Sequence, residues 1–125
     1  MGTTTILVAD DSAVHCQLLT TVLGRESWNV VTVEDGHEAV ARAAAETPDL
    51  IILDSRMPRM SGAEACRALR RHEATRRVPI LMLSAEGDVE GLRAGLESGC
   101  NDYLVTPLDF SELIAKVKGY VHRRS

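Results

Sequence analysis

No cysteine pair, no histidine set at metal-ligand spacing and no apolar stretch of membrane length occurs in this chain. Cys16, Cys66 and Cys100 are odd in number and far apart, with no Cys-x-x-Cys. Neither a disulfide framework nor a zinc site is therefore indicated, and they read as small core residues in a reducing compartment. His15, His37, His72 and His122 read as surface or helix-end residues. The longest apolar runs are strand-sized, which argues against a signal peptide or a membrane span and predicts a cytoplasmic protein. Excess charge is lacking too: a net −4 over 125 residues gives no reason to expect nucleic acid or membrane as a partner. Arg67, Arg70, Arg71, Arg76 and Arg77 do cluster. They read as a helix C-terminus followed by a solvated loop, where cations complement the helix dipole, and a polyanion-binding patch is the weaker alternative. Internal repeats, low-complexity segments and linkers are absent, and the length suits one domain.

What is present is a set of acids placed at the ends of apolar runs. Asp10 and Asp11 follow Ile6-Leu7-Val8-Ala9, and Asp54 follows Leu50-Ile51-Ile52-Leu53. If both runs are neighbouring parallel strands, their carboxyl ends lie side by side, where open α/β sheets build their sites. Two unit charges about 4 Å apart repel by about 4 kcal/mol at an effective dielectric near 20. Three carboxylates crowded there call for a cation or a raised pKa, and an oxygen-only cluster suits Mg²⁺. Loop and helix-cap roles would explain one of these acids, but not their convergence.

Short apolar runs alternate with helical patterns along the whole chain. Strands are expected at Thr5–Ala9, Asn29–Val33, Leu50–Leu53, Pro79–Leu83 and Asp102–Val105. Val14, Leu18 and Val22, with Leu19 and Leu23 beside them, predict the buried face of the first helix. Asp35-Gly36 predicts a turn before an alanine-rich helix around Glu38–Glu46. Ser61-Gly62-Ala63-Glu64 fits a capping box, and Asp109-Phe110-Ser111-Glu112 resembles another with aspartate as the cap. Gly99 closes a helix running from about Asp88 to Ser98, and Phe110, Leu113, Ile114, Val117 and Val121 form the apolar stripe of the last one. Five strands alternating with five helices predict a parallel sheet covered on both faces, with right-handed crossovers.

Four pieces in order, Ile6–Ser12, Asp54–Gly62, Leu83–Glu86 and Asp102–Leu108, resemble the receiver domain of two-component response regulators over about residues 4–121. The resemblance implies a flavodoxin-like three-layer sandwich with sheet order 2-1-3-4-5, the order of the chemotaxis receiver that serves as a standard example of this fold. It implies that Asp54 accepts a phosphoryl group from a sensor histidine kinase or phosphotransfer protein. Asp10, Asp11, Asp54 and the Arg56 backbone carbonyl would hold Mg²⁺, Ser84 would bond the phosphoryl group, and Tyr103 would swing inward as the switch. The face of helix four, strand five and helix five would meet a downstream protein or a second copy. The chain would be a signalling module rather than an enzyme. A true aspartyl-phosphate hydrolase is disfavoured, because such enzymes carry a second acid where this chain has Arg56.

One position departs from the family pattern. The lysine that precedes the proline after strand five is Thr106 here, which is shorter and uncharged. Lys116 and Lys118 lie too far along the last helix to substitute. The expectation is that metal matters more to the acids, that the metal-free carboxylate pKa is raised, and that phosphorylation is coupled less tightly to Ser84 and Tyr103. In the limit the domain would be an interaction scaffold working without phosphorylation. Arg56 and Glu86, each two residues beyond a site position, are expected to face one another beside the phosphoryl group and to influence its lifetime; a solvated surface pair is the plainer alternative.

Overall fold

The computed structural model describes residues 3–123. The apolar runs form strands β1 (Thr5–Ala9), β2 (Asn29–Val33), β3 (Leu50–Asp54), β4 (Ile80–Ala85) and β5 (Asp102–Thr106). They alternate with helices α1 (Ala13–Gly24), α2 (Gly36–Ala45), α3 (Gly62–Arg71), α4 (Val89–Glu97) and α5 (Phe110–Arg123). Every strand pair is parallel, as the alternating pattern predicts, and the order is β2-β1-β3-β4-β5, the flavodoxin-like architecture that the family resemblance implies.

Successive strand residues point to opposite faces, so each apolar run feeds two cores at once. Ile6, Val8, Ile52 and Leu83 meet Leu19 of α1 and Leu113 of α5 on one face. Leu7, Ile51, Leu53 and Met82 meet Ala43 of α2 and Leu69 of α3 on the other. Because both faces are covered, the central strands β1, β3 and β4 are apolar almost throughout, whereas the edge strands β2 and β5 keep polar, exposed residues. Each fully buried leucine or isoleucine contributes about 1.5–3 kcal/mol, which places most of the fold's stability in these two layers. Helix α4 sits low on the sheet: a Cβ at Gly95 would stand 3.0 Å from Met82 Cγ.

Several local expectations shift. Val14 is 72 % and Leu18 43 % exposed, while Leu19, Val22 and Leu23 are buried. A helix advances about 100° per residue, so the row through Leu19 and Leu23 excludes the row through Val14 and Leu18 once α1 packs on the sheet. Asp35-Gly36 is a helix start rather than a turn, with the Asp35 side chain accepting from Glu38 N–H as the cap of α2. The fourth strand begins at Ile80, since Pro79 has no N–H for the ladder, although its carbonyl still accepts from Ile51 N–H. The Ser61 capping box forms in both directions, and Asp109 Oδ1 accepts from the N–H groups of Ser111 and Glu112.

Arg70 also departs from the solvated role. Its guanidinium donates to the carbonyls of Val78 at 2.7 Å and Gly99 at 3.0 Å and to Asn101 Oδ1 at 2.8 Å, tying the ends of α3 and α4 to the entry of β4. Arg76, by contrast, makes an exposed pair with Glu73.

Candidate functional site

Register brings the acids together. Ala9 of β1 pairs with Leu53 of β3, so Asp10 and Asp54 leave neighbouring strands at the same level. One carboxylate oxygen each from Asp10, Asp11 and Asp54 lies within 4.8 Å of the others. The three residues differ sharply in exposure: Asp10 is 1 % exposed, Asp54 half-buried and Asp11 open to solvent.

Each acid is held by local structure. Asp10 Oδ1 accepts from Ser12 N–H at 2.9 Å, and Asp10 Oδ2 lies 3.0 Å from His15 Nδ1. A carboxylate only accepts, so the His15 ring nitrogen facing it carries the proton. Ser12 caps α1 by accepting from His15 N–H, which sets the helix phase that turns the imidazole back toward Asp10. Asp54 Oδ1 accepts from Arg56 N–H at 3.3 Å. Behind it, a Cβ on Gly62 would stand 2.4 Å from the Asp54 carbonyl oxygen, so only glycine lets α3 start this close to the strand end.

Burial first, and then the neighbouring Asp10 charge, push the Asp54 carboxyl up to about 7. The donors are all oxygens, they converge, and they carry more negative charge than the pocket tolerates bare. That donor set fits a hard divalent cation such as Mg²⁺.

The β4 and β5 side is built differently. Ser84 is 2 % exposed, and neither its hydroxyl nor that of Ser55 has a hydrogen-bond partner. Ser55 N–H donates to Leu83 O at 2.8 Å, so the two serines extend adjacent strands beyond the Asp54–Leu83 pair. Thr106 ends β5 opposite Ala85, and its carbonyl accepts from Glu86 N–H at 3.1 Å. Tyr103 is turned outward and part-exposed. Lys116 is paired with Asp102 at 2.9 Å and Lys118 with Glu26 at 3.2 Å, so both lysines are engaged away from the acids.

The expected Arg56–Glu86 pair is not formed. Arg56 instead makes a two-pronged bond to Asp88, from Nε at 2.8 Å and Nη2 at 2.6 Å. Asp88 caps α4 and is held there by Gly91 N–H, whereas Glu86 lies exposed where the chain turns off β4. The helix start, rather than the strand end, presents the carboxylate that the fork can reach. His15, Asp88 and Ser55 are thus the site residues that sequence reasoning missed. The Ser12-x-x-His15 spacing was the available signal for the first, and the Asp88 cap position for the second.

The model for the response regulator receiver domain matches residues 6–118. The chain belongs to the response regulator receiver family. The receiver is 40 % identical over 118 residues to the DNA-binding response regulator MtrA of Mycobacterium tuberculosis, covering 94 % of this chain and 50 % of that protein. It is 40 % identical over 122 residues to the transcriptional regulatory protein ResD of Bacillus subtilis, covering 98 % of this chain and 50 % of the relative. The chain therefore spans about half the length of these curated relatives.

Among solved structures, the receiver domain of the sensor histidine kinase PA1611 of Pseudomonas aeruginosa superposes with a TM-score of 0.91 at 31 % identity, over 97 % of this chain and 99 % of that one. That structure has a magnesium ion coordinated in its active-site cleft. The chemotaxis protein CheY4 of Vibrio cholerae gives 0.87 at 32 % identity, over 95 % and 99 % of the two chains. Among the described residues, no helix of the receiver is long and apolar enough to cross a membrane.

Proposed function

We propose that this receiver, one unit over about residues 4–121, takes a phosphoryl group on Asp54 from a phosphohistidine of a sensor histidine kinase or a phosphotransfer protein. The observation that supports this most is the meeting of three carboxylates at one sheet end with the Asp54 proton retained up to about pH 7. In the transfer, an Asp54 carboxylate oxygen bonds to phosphorus while the donor's P–N bond breaks and its electron pair stays on the imidazole. Asp10, Asp11, Asp54 and the Arg56 backbone carbonyl would hold Mg²⁺, which when bound neutralises the acids and the phosphoryl oxygens. Asp10 is fixed by Ser12 and His15, and Arg56 N–H holds one oxygen of the acceptor Asp54. The unpartnered Ser84 hydroxyl is free to donate to a phosphoryl oxygen, and Thr106 offers a second hydroxyl where the family has an ammonium.

Ser84 turning toward the acceptor leaves room for the outward Tyr103 to follow. Output then passes through the face of α4, β5 and α5, where Val89, Leu96 and Val105 are exposed. The relatives' DNA-binding and transcriptional roles suggest that such a face acts on an output partner or a second copy, and the net charge of −4 favours no nucleic-acid contact from the receiver itself. Intact-mass measurement after incubation with acetyl phosphate tests the reading. A gain of ~80 Da that needs Mg²⁺ and disappears in Asp54→Asn is the expected result. A gain that survives Asp54→Asn would place the acceptor elsewhere.

A further inference from the structure

The Arg56–Asp88 bond joins the loop that follows the acceptor to the first turn of α4. Three observations define it. The Arg56 backbone N–H is on Asp54 Oδ1, so any change at the acceptor is felt by this residue. Its guanidinium is bonded through two nitrogens to Asp88, with Arg56 65 % and Asp88 17 % exposed. The same Asp88 Oδ1 that accepts from Arg56 also accepts from Gly91 N–H at 3.0 Å and caps α4. Room for this is made at Gly91, where a Cβ would stand 2.3 Å from Asp88 Oδ2. The pair also borders a groove of about 310 Å³ lined by Ser84, Glu86, Val89, Leu92 and Val105. The other arginine of the acceptor loop, Arg59, is held by Asp35.

We propose that Arg56 is a transferable clamp. It is held by Asp88 in the unmodified receiver and drawn onto the phosphoryl oxygens once Asp54 is modified, so that the first turn of α4 loses its ion pair. This rests on Asp54 being the acceptor. A phosphoryl group carries nearly twice the charge of a carboxylate and offers three acceptor oxygens. A guanidinium forks onto either, and the more highly charged partner wins when both are within reach. With threonine at the end of β5 and Lys116 and Lys118 engaged elsewhere, a cation two residues past the acceptor takes the part that strand five does not fill. The transfer changes α4 and the groove directly, because the carboxylate Arg56 leaves is the helix cap itself.

The test uses the whole chain with acetyl phosphate and Mg²⁺, and reads three quantities together. Intact mass reports whether the chain is modified. Amide exchange at Gly91 and the Arg56 Nε–H resonance report where the guanidinium sits. The rate of phosphoryl loss is compared among the natural chain, Arg56→Ala and Asp88→Ser, the last of which keeps a capping oxygen without the charge.

Modification should speed Gly91 exchange about tenfold and move the Nε–H resonance. Arg56→Ala should shorten the phosphoryl lifetime about tenfold, whereas Asp88→Ser, by freeing the guanidinium, should lengthen it several-fold. A static lid would instead make both variants lose phosphate faster, and that result overturns the proposal. So does a modified chain whose Gly91 exchange and Arg56 resonance are unmoved. A chain that gains no mass fails earlier, on the acceptor reading, and takes the clamp with it.

Discussion

The two sides of the site solve opposite problems. Over β1 and β3, three acids share one pocket and two of them are held from behind: both oxygens of Asp10 by Ser12 and His15, and Asp54 Oδ1 by Arg56 N–H. Toward β4 and β5 the burden is not charge, since the buried hydroxyl of Ser84 lacks a partner, as does that of Ser55 where the end of β3 meets β4. One side stores electrostatic strain that a cation relieves. The other stores unmet hydrogen bonds that a new group of oxygens relieves. A phosphoryl group with its metal satisfies both, which explains why neither side is at rest by itself.

The largest effect is expected on the acid side. The folded chain holds the Asp54 proton more tightly than the unfolded chain, whose carboxyl titrates near the ordinary 3.8. Stability from this group is therefore complete below that value and is lost as pH rises through about 7. Metal-free protein should unfold in less urea at pH 7.5 than at pH 5, with a contribution of about 2 kcal/mol once solvent screening is allowed for. Asp54→Asn should flatten this slope, and millimolar Mg²⁺ should restore the natural chain at pH 7.5 by binding only the folded state. Identical slopes for the natural chain and the Asp54→Asn variant would mean the acids are not crowded in solution.

A smaller effect comes from moving charge across the divide. Thr106→Lys puts an ammonium at the end of β5, on the side that lacks one. It should pull the Asp54 titration down and stabilise the metal-free protein at pH 7.5 by about 1.5 kcal/mol, the worth of one charged hydrogen bond. It should also weaken Mg²⁺ binding, since two cations then compete for the same oxygens. Both quantities come from melting curves with and without metal. If the titration stays where it is, the end of β5 does not face the acids and the comparison between the two sides fails.

How much of this was legible beforehand depends on whether an interaction is local in the chain. The three central strands, buried on both faces, write themselves as apolar runs, and the acids were visible because they end two of those runs; the edge strands β2 and β5 are mixed and were read from the alternation with helices. The Ser61 capping box was equally clear, since its partners lie three residues apart. Arg70 was not, because its partners Val78, Gly99 and Asn101 come from loops that only the folded chain brings together. Arg56 was half legible. Its place beside the acceptor followed from the motif, but the choice of Asp88 over Glu86 depends on how the chain turns between β4 and α4. The exposed Val14 and Leu18 show the same limit in reverse: an i, i+4 row gives a helix face, but the sheet decides how much of it is covered, here Val22 alone, beside Leu19 and Leu23 of the next row.

His15 is the subtlest member of the acid side, and it was hidden for a related reason. Nothing in an isolated histidine four residues past Asp11 says that its ring folds back over the helix start, yet Nδ1 lies 3.0 Å from Asp10 Oδ2. That contact leaves Asp10 one fixed orientation toward the other two carboxylates. Partners of this kind behind a metal-binding carboxylate are worth about tenfold or more in affinity when removed. His15→Ala should accordingly weaken Mg²⁺ binding about tenfold by calorimetry, while leaving the fold intact, since the side chain is part-exposed and packs in neither core. His15→Gln, which keeps an N–H donor on a side chain of similar reach, should recover most of the loss. Equal affinities in all three proteins would show that Ser12 N–H alone orients Asp10, and that the order of the acid side owes nothing to the imidazole.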